Sequence, residues 1–204
     1  MDCLDFLAKE IHSVIMATTD DNGLPITCAV DIMDCDERGI YFLTAKGKGF
    51  YKRLKRNGYV ALTGMKGDDT LSCKAISVRG KVKEIGADPL KRLLDKNPYM
   101  HEIYPSEESR KALAVFLIYD GSGEWFDLSQ KPIERFSFSI GGEKPKMHGY
   151  IITDSCENCR KCAAVCPQIC IDFSGVHAVI KQKNCLHCGN CFNVCPKKAV
   201  LKEE

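Results

Sequence analysis

The sequence predicts two domains: a mainly β, α+β domain built as a small antiparallel barrel of six to eight strands with flanking helices, and a small cysteine-rich domain after it. Two observations lead to this prediction. Short apolar and β-branched segments separated by turn residues fill the first two thirds of the 204-residue chain. Nine of the thirteen cysteines then lie from Cys156 to Cys195, and eight of these nine form two regularly spaced groups.

Composition narrows the class of protein. The chain is 45% hydrophobic and 27% charged, as is typical of soluble globular proteins, and its net charge of +2 does not suggest nucleic-acid binding. No apolar stretch is long enough to span a bilayer, and the first residues lack the basic and apolar segments of a secretory signal. We therefore expect a cytoplasmic protein that binds neither nucleic acid nor a membrane.

The first half of the predicted barrel begins with a helix. Apolar residues recur at helical spacing in residues 3–12. Three β-branched segments follow, joined by tight polar turns, and predict an antiparallel meander of strands at residues 14–19, 25–33 and 40–44. A basic helix is predicted from Gly49 to Asn57, where the Asn57-Gly58 pair is a typical stop signal.

The second half of the barrel repeats this alternation. Further strands are predicted at residues 59–65, 71–85, 114–119, 124–128 and 134–140, and helices at residues 88–97 and 106–113, with a loop at 98–105. A polar Gly/Pro segment, residues 141–146, interrupts the pattern. We place the domain boundary there, giving domains at residues 1–143 and 144–204.

Two cysteine runs dominate the second domain. Residues 156–167 and 185–196 both read C-x2-C-x2-C-x3-C-P, offset by 29 residues. This is the spacing with which bacterial ferredoxins bind [4Fe–4S] clusters through thiolates, and in two-cluster ferredoxins the fourth cysteine of each run ligates the other cluster. The resemblance predicts one cluster on Cys156, Cys159, Cys162 and Cys195, and a second on Cys185, Cys188, Cys191 and Cys166. We call these cluster I and cluster II.

Other uses of the cysteines fit less well. Zinc ribbons use paired C-x2-C motifs, but they need neither a fourth cysteine per run nor the proline after it. A disulfide framework does not suit a reducing cytoplasm. Cys170 lies outside both runs, where the second repeat has Ala199, and we expect it to be a buried apolar residue.

The order of elements in the first domain resembles that of a known superfamily. The order of these elements resembles the FMN-binding split barrels of the pyridoxamine-phosphate-oxidase-like superfamily: a hairpin over residues 17–32, a strand and basic helix start over residues 39–57, a strand over residues 59–65 and a long strand over residues 76–85. The resemblance implies a homodimer with FMN at the subunit interface.

The basic helix start is the candidate phosphate site. A dianionic phosphate needs cations and free backbone N–H groups, and a helix N-terminus beside lysines supplies both. The resemblance places the phosphate at this point, so the candidate binding residues are Thr44, Lys46, Lys48, Tyr51 and Lys52. The alternative is a solvated basic helix face.

The strand before it is the candidate ring site. In the resembling family this strand lies along the isoalloxazine ring, which implies contacts from Thr27, Cys28, Ala29 and Val30. The strand lacks the Arg and Lys that many true pyridoxamine-phosphate oxidases carry there. That departure counts against pyridoxamine phosphate as the substrate.

Together these features predict an oxidoreductase that passes electrons between two [4Fe–4S] clusters and FMN and reduces a small organic acceptor, in the manner of FMN-dependent flavin reductases. The sequence has no dinucleotide-binding or P-loop motif, so we expect a separate redox partner, such as ferredoxin or an oxidoreductase. Two alternatives stay open: an electron carrier or redox-sensing module without its own substrate, and a barrel that binds haem or a deazaflavin. The sequence identifies no catalytic side chain.

Overall fold

The structure, a computed structural model, describes residues 2–142 and 149–203. Contacts divide this part of the chain into two compact units: residues 2–66, 75–123 and 138–142, and residues 67–74, 124–137 and 149–203. The domain boundary predicted between residues 143 and 144 lies outside the described residues and stays a prediction. No helix in the described ranges is both long and apolar enough to cross a membrane.

The main sheet closes into a barrel. Its seven strands are β1 (Ser13–Thr19), β2 (Pro25–Asp36), β3 (Gly39–Ala45), β4 (Tyr59–Lys66), β5 (Lys74–Glu84), β6 (Leu113–Asp127) and β7 (Glu134–Ile140). They lie in the order β3-β2-β1-β4-β5-β6-β7, and β3 also pairs with β6. The extra pairing closes β1–β6 into a six-stranded antiparallel barrel with β7 as an added strand, which confirms the predicted fold class.

Five short helices flank the strands. They are α1 (Cys3–Phe6), which continues as a π-helix over Leu7–Ile11, α2 (Gly49–Asn57), α3 (Leu90–Lys96), α4 (Met100–Ile103) and α5 (Glu107–Arg110). Helix α2 ends where the sequence predicts, because Gly58 takes a left-handed conformation after it. Helix α4 lies in the segment predicted as a loop.

The prediction of two strands at residues 114–119 and 124–128 is wrong, because these residues belong to one continuous strand, β6. Gly121 and Gly123 lie in the gap between the two predicted strands. In the structure Gly121 instead packs against the backbone carbonyl of Arg79, where a Cβ atom would not fit. Here glycine permits close approach of neighbouring strands and not a turn.

Aromatic and branched side chains fill the barrel. Phe42 stacks on Phe116 with ring centroids 5.6 Å apart, and Phe50 of α2 packs on Phe42 at 6.1 Å. Phe42 and Phe116 are fully buried, as are Met16, Ile32, Ile40, Ile76 and Ile118. Helix α2 is therefore fixed to the barrel by its own apolar face, which sets the position of its N-terminus.

Barrel closure depends on Gly39, the first residue of β3. Its φ of +134° is one that other residues rarely adopt, and an added Cβ would overlap the backbone carbonyl of Ile118 on β6. We expect Gly39→Ala to lower the free energy of unfolding by about 3 kcal/mol, because β3 must move off its partner strand. Urea unfolding of the purified variant measures this.

Gly23 is the matched control for this prediction. It also has a positive φ, +79°, but nothing lies within 4 Å of an added Cβ. Gly23→Ala should therefore cost only the left-handed backbone penalty, about 1 kcal/mol. Equal losses for the two variants would show that the close approach to β6 is unimportant.

The cysteine-rich part of the chain has little regular structure. Its elements are β8 (Gly149–Ile152), α6 (Lys161–Val165), β9 (Ile171–Asp172), β10 (Val179–Ile180), a 3₁₀ turn (Gln182–Asn184), α7 (Asn190–Val194) and β11 (Val200–Glu203). Strand β8 pairs antiparallel with β11, and β9 with β10. The buried core here is small and includes three cysteines, Cys170, Cys185 and Cys191.

Candidate functional site

The 29-residue repeat of the cysteine runs extends to the backbone. Helices α6 and α7 begin and end 29 residues apart. Left-handed residues recur at the same offset, in the pairs Asn158 and His187 (φ 53° and 55°), Arg160 and Gly189 (61° and 79°), and Ile169 and Lys198 (50° and 51°). A left-handed non-glycine residue costs about 1–2 kcal/mol. Such strain, repeated in and directly after the two cysteine runs, is typical of a functional site.

One cavity in the cysteine-rich part of the chain brings four predicted ligands together. Its lining includes Cys185, Cys188 and Cys191 from the second run and Cys166 from the first. These are the four cysteines predicted for cluster II. The remaining lining is mainly apolar and includes Pro167, Ile171, Ile180 and Leu186. An apolar, thiol-lined cavity suits an iron–sulfur cluster, since burial and limited solvent access set its potential.

Cys170 lies in the same cavity. Its side chain is 4% exposed, and its Sγ atom lies 3.4 Å from that of Cys166. A hydrogen bond between the thiols of Cys170 and Cys185 raises the pKa of Cys170, with burial and Cys166 adding to the effect, and lowers the pKa of Cys185. Cys170 is thus buried, as expected, but its thiol is hydrogen-bonded to those of two predicted ligands, Cys166 and Cys185.

Three ligands predicted for cluster I also lie near one another. Burial raises the pKa of Cys162, and the neighbouring thiols of Cys156 and Cys159 raise it further. The fourth, Cys195, accepts a hydrogen bond from the backbone N–H of Ala199 at 3.3 Å. Among the described residues, no three His, Cys, Asp or Glu side chains converge as they would on a single metal ion. Cluster ligands contact different corners of a larger group, so they need not converge in that way.

Residues 133–135, which the sequence did not single out, contact the neighbours of two cluster II ligands. The backbone N–H of Ile133 donates to Gln168 at 2.8 Å, and its carbonyl accepts from Asn184, next to Cys185, at 3.0 Å. Two residues on, the positive charge of Arg135 contributes to the lowered pKa of Cys185. Its Nη1 atom is buried and has no hydrogen-bond partner within the described chain. No local signal marks Arg135, because it is far from Cys185 in sequence.

The N-terminus of α2 forms the candidate phosphate site. Lys48 precedes the helix without capping it through its side chain, so the first-turn N–H groups lack side-chain acceptors from this residue. Thr44 is 5% exposed, and its Oγ1 atom is buried without a hydrogen-bond partner among the described residues. Thr44 precedes the start of α2 by only a few residues, and a bound phosphate could accept hydrogen bonds both from its buried hydroxyl and from the first N–H groups of the helix.

Arg53 adds a cation that the sequence analysis missed. Its Nη1 lies 3.2 Å from where a Cβ at residue 49 would stand, so the guanidinium reaches back to the helix start. Its Nε donates to Thr18 Oγ1 at 2.8 Å, which fixes its orientation. Residue 53 is one helical turn after Gly49, and this i,i+4 spacing was the signal that could have revealed it.

The phosphate site and the ring strand lie together. Burial raises the pKa of Cys28 on β2, while the charges of Arg53 and Lys48 oppose that rise. The thiol is therefore within electrostatic reach of both cations. Its neighbours Thr27 and Ala29 are exposed, and Val30 is 8% exposed within the core. Cys28 of the candidate ring strand thus lies near the cations at the start of α2.

The other predicted phosphate residues have different partners. Lys46 Nζ donates to the backbone carbonyl of Lys111 at 3.0 Å. Tyr51 donates its hydroxyl hydrogen to Glu84 at 3.0 Å, and that bond raises the pKa of Tyr51. The side chain of Lys52 is exposed. Of the five candidates, Lys46 and Tyr51 thus have partners elsewhere in the barrel, whereas Thr44 Oγ1 has none among the described residues.

Solved structures similar to this chain share its barrel. A NimC/NimA family protein from Clostridium acetobutylicum is 21% identical, with a TM-score of 0.57 over 67% of this chain and 89% of that one. PhzG from Burkholderia lata, in complex with tetrahydrophenazine-1-carboxylic acid, is 13% identical, with a TM-score of 0.53 over 68% and 81%. A heme-binding protein from Mycobacterium smegmatis is 13% identical, with a TM-score of 0.51 over 68% and 56%. At these identities the likeness shows the fold alone.

Two family models match separate parts of the chain. The pyridoxamine 5'-phosphate oxidase model matches residues 2–119, and a 4Fe-4S dicluster domain model matches residues 141–199. No curated protein matches the chain. The first match covers more than half of the sequence and includes the whole α2 site. The chain therefore belongs to the pyridoxamine 5'-phosphate oxidase family and carries a 4Fe-4S dicluster domain in addition to its barrel.

Proposed function

We propose that the protein is a flavin- and iron–sulfur-dependent oxidoreductase, which passes electrons between two [4Fe–4S] clusters and FMN and reduces a small organic acceptor. One observation carries the proposal: a single chain combines this family's barrel with a cavity lined by four cysteines of a two-cluster motif. When bound, FMN exchanges one or two electrons and each cluster exchanges one.

The barrel residues fit the phosphate end of FMN. Thr44 Oγ1 and the N–H groups that open α2 would donate hydrogen bonds to the phosphate, while Lys48 and Arg53 balance its charge. Backbone groups of β2 from Thr27 to Val30 would contact the edge of the ring. Lys46 and Tyr51 would support the site through Lys111 and Glu84 rather than by direct contact. No described side chain is assigned as an acid or base.

The cysteine-rich unit fits two clusters with crossed ligation. Cys185, Cys188, Cys191 and Cys166 would hold cluster II in the described cavity, and the remaining four motif cysteines would hold cluster I. The apolar lining would exclude water from cluster II, and Arg135 would favour negative charge on Cys185. Electrons would come from a separate redox partner, such as ferredoxin or an oxidoreductase.

We also propose a homodimer formed through the barrel. Large apolar side chains face outward on adjacent strands β1 and β4: Ile15 is 51% exposed, Tyr59 48% and Met65 66%. Such an apolar surface is typical of a subunit interface. Measuring the mass in solution tests this independently of the redox proposal.

Anaerobic purification tests the main proposal. We expect about eight iron and eight sulfide atoms per chain, as two [4Fe–4S] clusters require, together with stoichiometric FMN. Electrons supplied to the clusters should then pass to FMN and bleach the long-wavelength absorbance band of the flavin. Adding an acceptor should restore this band. Intact clusters without flavin would overturn the proposal, and a flavin that no acceptor reoxidises would favour an electron carrier.

The crossed ligation can be tested separately by measuring the iron content of cysteine variants. Cys195→Ala should reduce the iron from about eight to about four atoms per chain, because only cluster I loses a ligand. Adding Cys156→Ala should remove no more iron, whereas adding Cys188→Ala should remove nearly all of it. The opposite result for the two double variants would show that each run holds its own cluster.

Replacing the unpaired hydroxyl of Thr44 should have opposite effects on stability and on FMN binding. Thr44→Val replaces a buried, unpaired hydroxyl with a methyl group. We expect the flavin-free protein to gain about 1 kcal/mol of unfolding free energy, and FMN to bind about tenfold more weakly. Thermal unfolding and FMN titration measure the two effects, and a loss of stability in the flavin-free variant would contradict the assignment.

A further inference from the structure

The cluster II cavity contains more thiols than one cluster needs. A [4Fe–4S] cluster takes four cysteine ligands, and the cavity is lined by five cysteines: Cys166, Cys170, Cys185, Cys188 and Cys191. Four of them belong to the motif. The fifth, Cys170, is 4% exposed, and its Sγ lies 3.4 Å from that of Cys166. No motif requirement accounts for a thiol at this place.

Backbone geometry explains why residue 170 comes so close to Cys166. The N–H of Ile169 donates to the carbonyl of Cys166 at 3.3 Å, and Ile169 is left-handed, which turns the chain back on itself. In the second repeat, Lys198 is likewise left-handed and donates to the carbonyl of Cys195 at 3.2 Å. The two turns are equivalent, but the second is followed by Ala199, 1% exposed. The repeat therefore supplies a natural comparison with the thiol absent.

We propose that Cys170 is a reserve ligand of cluster II, which takes the place of Cys166 when that thiolate is lost. The inference rests on the proposed pair of clusters. In the exchange the Cys170 thiol gives its proton to solvent and its sulfur donates an electron pair to the iron that Cys166 vacated. One Fe–S bond replaces another, and no atom changes oxidation state. Cluster I has no such reserve, because residue 199 has no thiol.

Iron and sulfide analysis of the full-length protein, purified anaerobically, tests the proposal. Cys166→Ala should keep about eight iron atoms per chain, since four thiols remain around cluster II, and Cys166→Ala/Cys170→Ala should fall to about four. Cys170→Ala alone should keep about eight. Low-temperature electron paramagnetic resonance of the reduced proteins should show two interacting clusters in Cys166→Ala and in Cys170→Ala. The double variant should show one isolated cluster.

The second repeat provides the matched control. Cys195→Ala should fall to about four iron atoms, and Cys195→Ala/Ala199→Cys should return to about eight, because the added cysteine stands where Cys170 stands in the first repeat. A Cys166→Ala variant with only about four iron atoms overturns the reserve-ligand proposal, as does loss of iron from Cys170→Ala alone. A wild-type protein without iron would instead overturn the proposed function, so the two failures are distinguishable.

Discussion

Removing the iron should unfold residues 149–203 while the barrel stays folded. The buried apolar cluster of this region contains only seven residues, and two of them, Cys185 and Cys191, are predicted ligands. Its helices have five residues each, and strands β9 and β10 have two. Helices and strands this short are not stable by themselves. The free energy of cluster binding is therefore also the free energy of folding in this region.

Hydrogen exchange followed by mass spectrometry measures this effect. After anaerobic chelation, amides of residues 149–203 should lose at least about 10³-fold in protection, equivalent to roughly 4 kcal/mol. The amide of Ile133 should lose protection with them, because its acceptor is the side chain of Gln168. Peptides from β1 and β3 serve as internal controls and should exchange as before. Unchanged protection in residues 149–203 would show that the region folds without metal.

Structural features that depend on neighbouring residues could be predicted from the sequence, and features that depend on distant contacts could not. The strands of the barrel were predicted well because β-branched segments and turn residues are local features, and the α2 stop at Gly58 is local too. The break predicted within β6 was wrong because Gly121 serves a contact with β5, which the sequence does not display. Helix α4 was missed because its four residues are too few for a periodic pattern.

The same distinction applies to the candidate sites. The spacing of the motif cysteines was sufficient to predict a set of four, and the structure brings that set to one cavity. The structure adds Cys170 to this cavity and Arg135 to the surroundings of Cys185, through turns and contacts that the spacing does not encode. At α2 the sequence indicated a phosphate site formed by basic residues, without distinguishing among them. The structure distinguishes them by orientation, since Arg53 faces the start of the helix and Lys52 faces solvent.

Arg53→Met should weaken FMN binding by about 10- to 100-fold. The guanidinium lies at the start of α2, held there by the hydroxyl of Thr18, and it would donate charged hydrogen bonds to the phosphate. A hydrogen bond to a charged group contributes about 1.5–3 kcal/mol, which corresponds to that range of affinity. Methionine keeps much of the length of the apolar stem, so packing against the ring of Phe50, 6.0 Å from the guanidinium carbon, changes little. FMN titration of the flavin-free protein, followed by fluorescence quenching, measures the effect.

Lys52→Met is the control that separates a local site from general charge. It removes the same charge from the neighbouring residue, but on the exposed side of the helix. An exposed charge contributes about 0–1 kcal/mol, so affinity should fall less than about fivefold. Riboflavin, which lacks the phosphate, should bind equally to the wild type and to Arg53→Met, because the lost interaction is with the phosphate alone. Equal weakening of FMN by both variants would indicate a diffuse basic surface, and loss of riboflavin binding in Arg53→Met would place Arg53 at the ring instead.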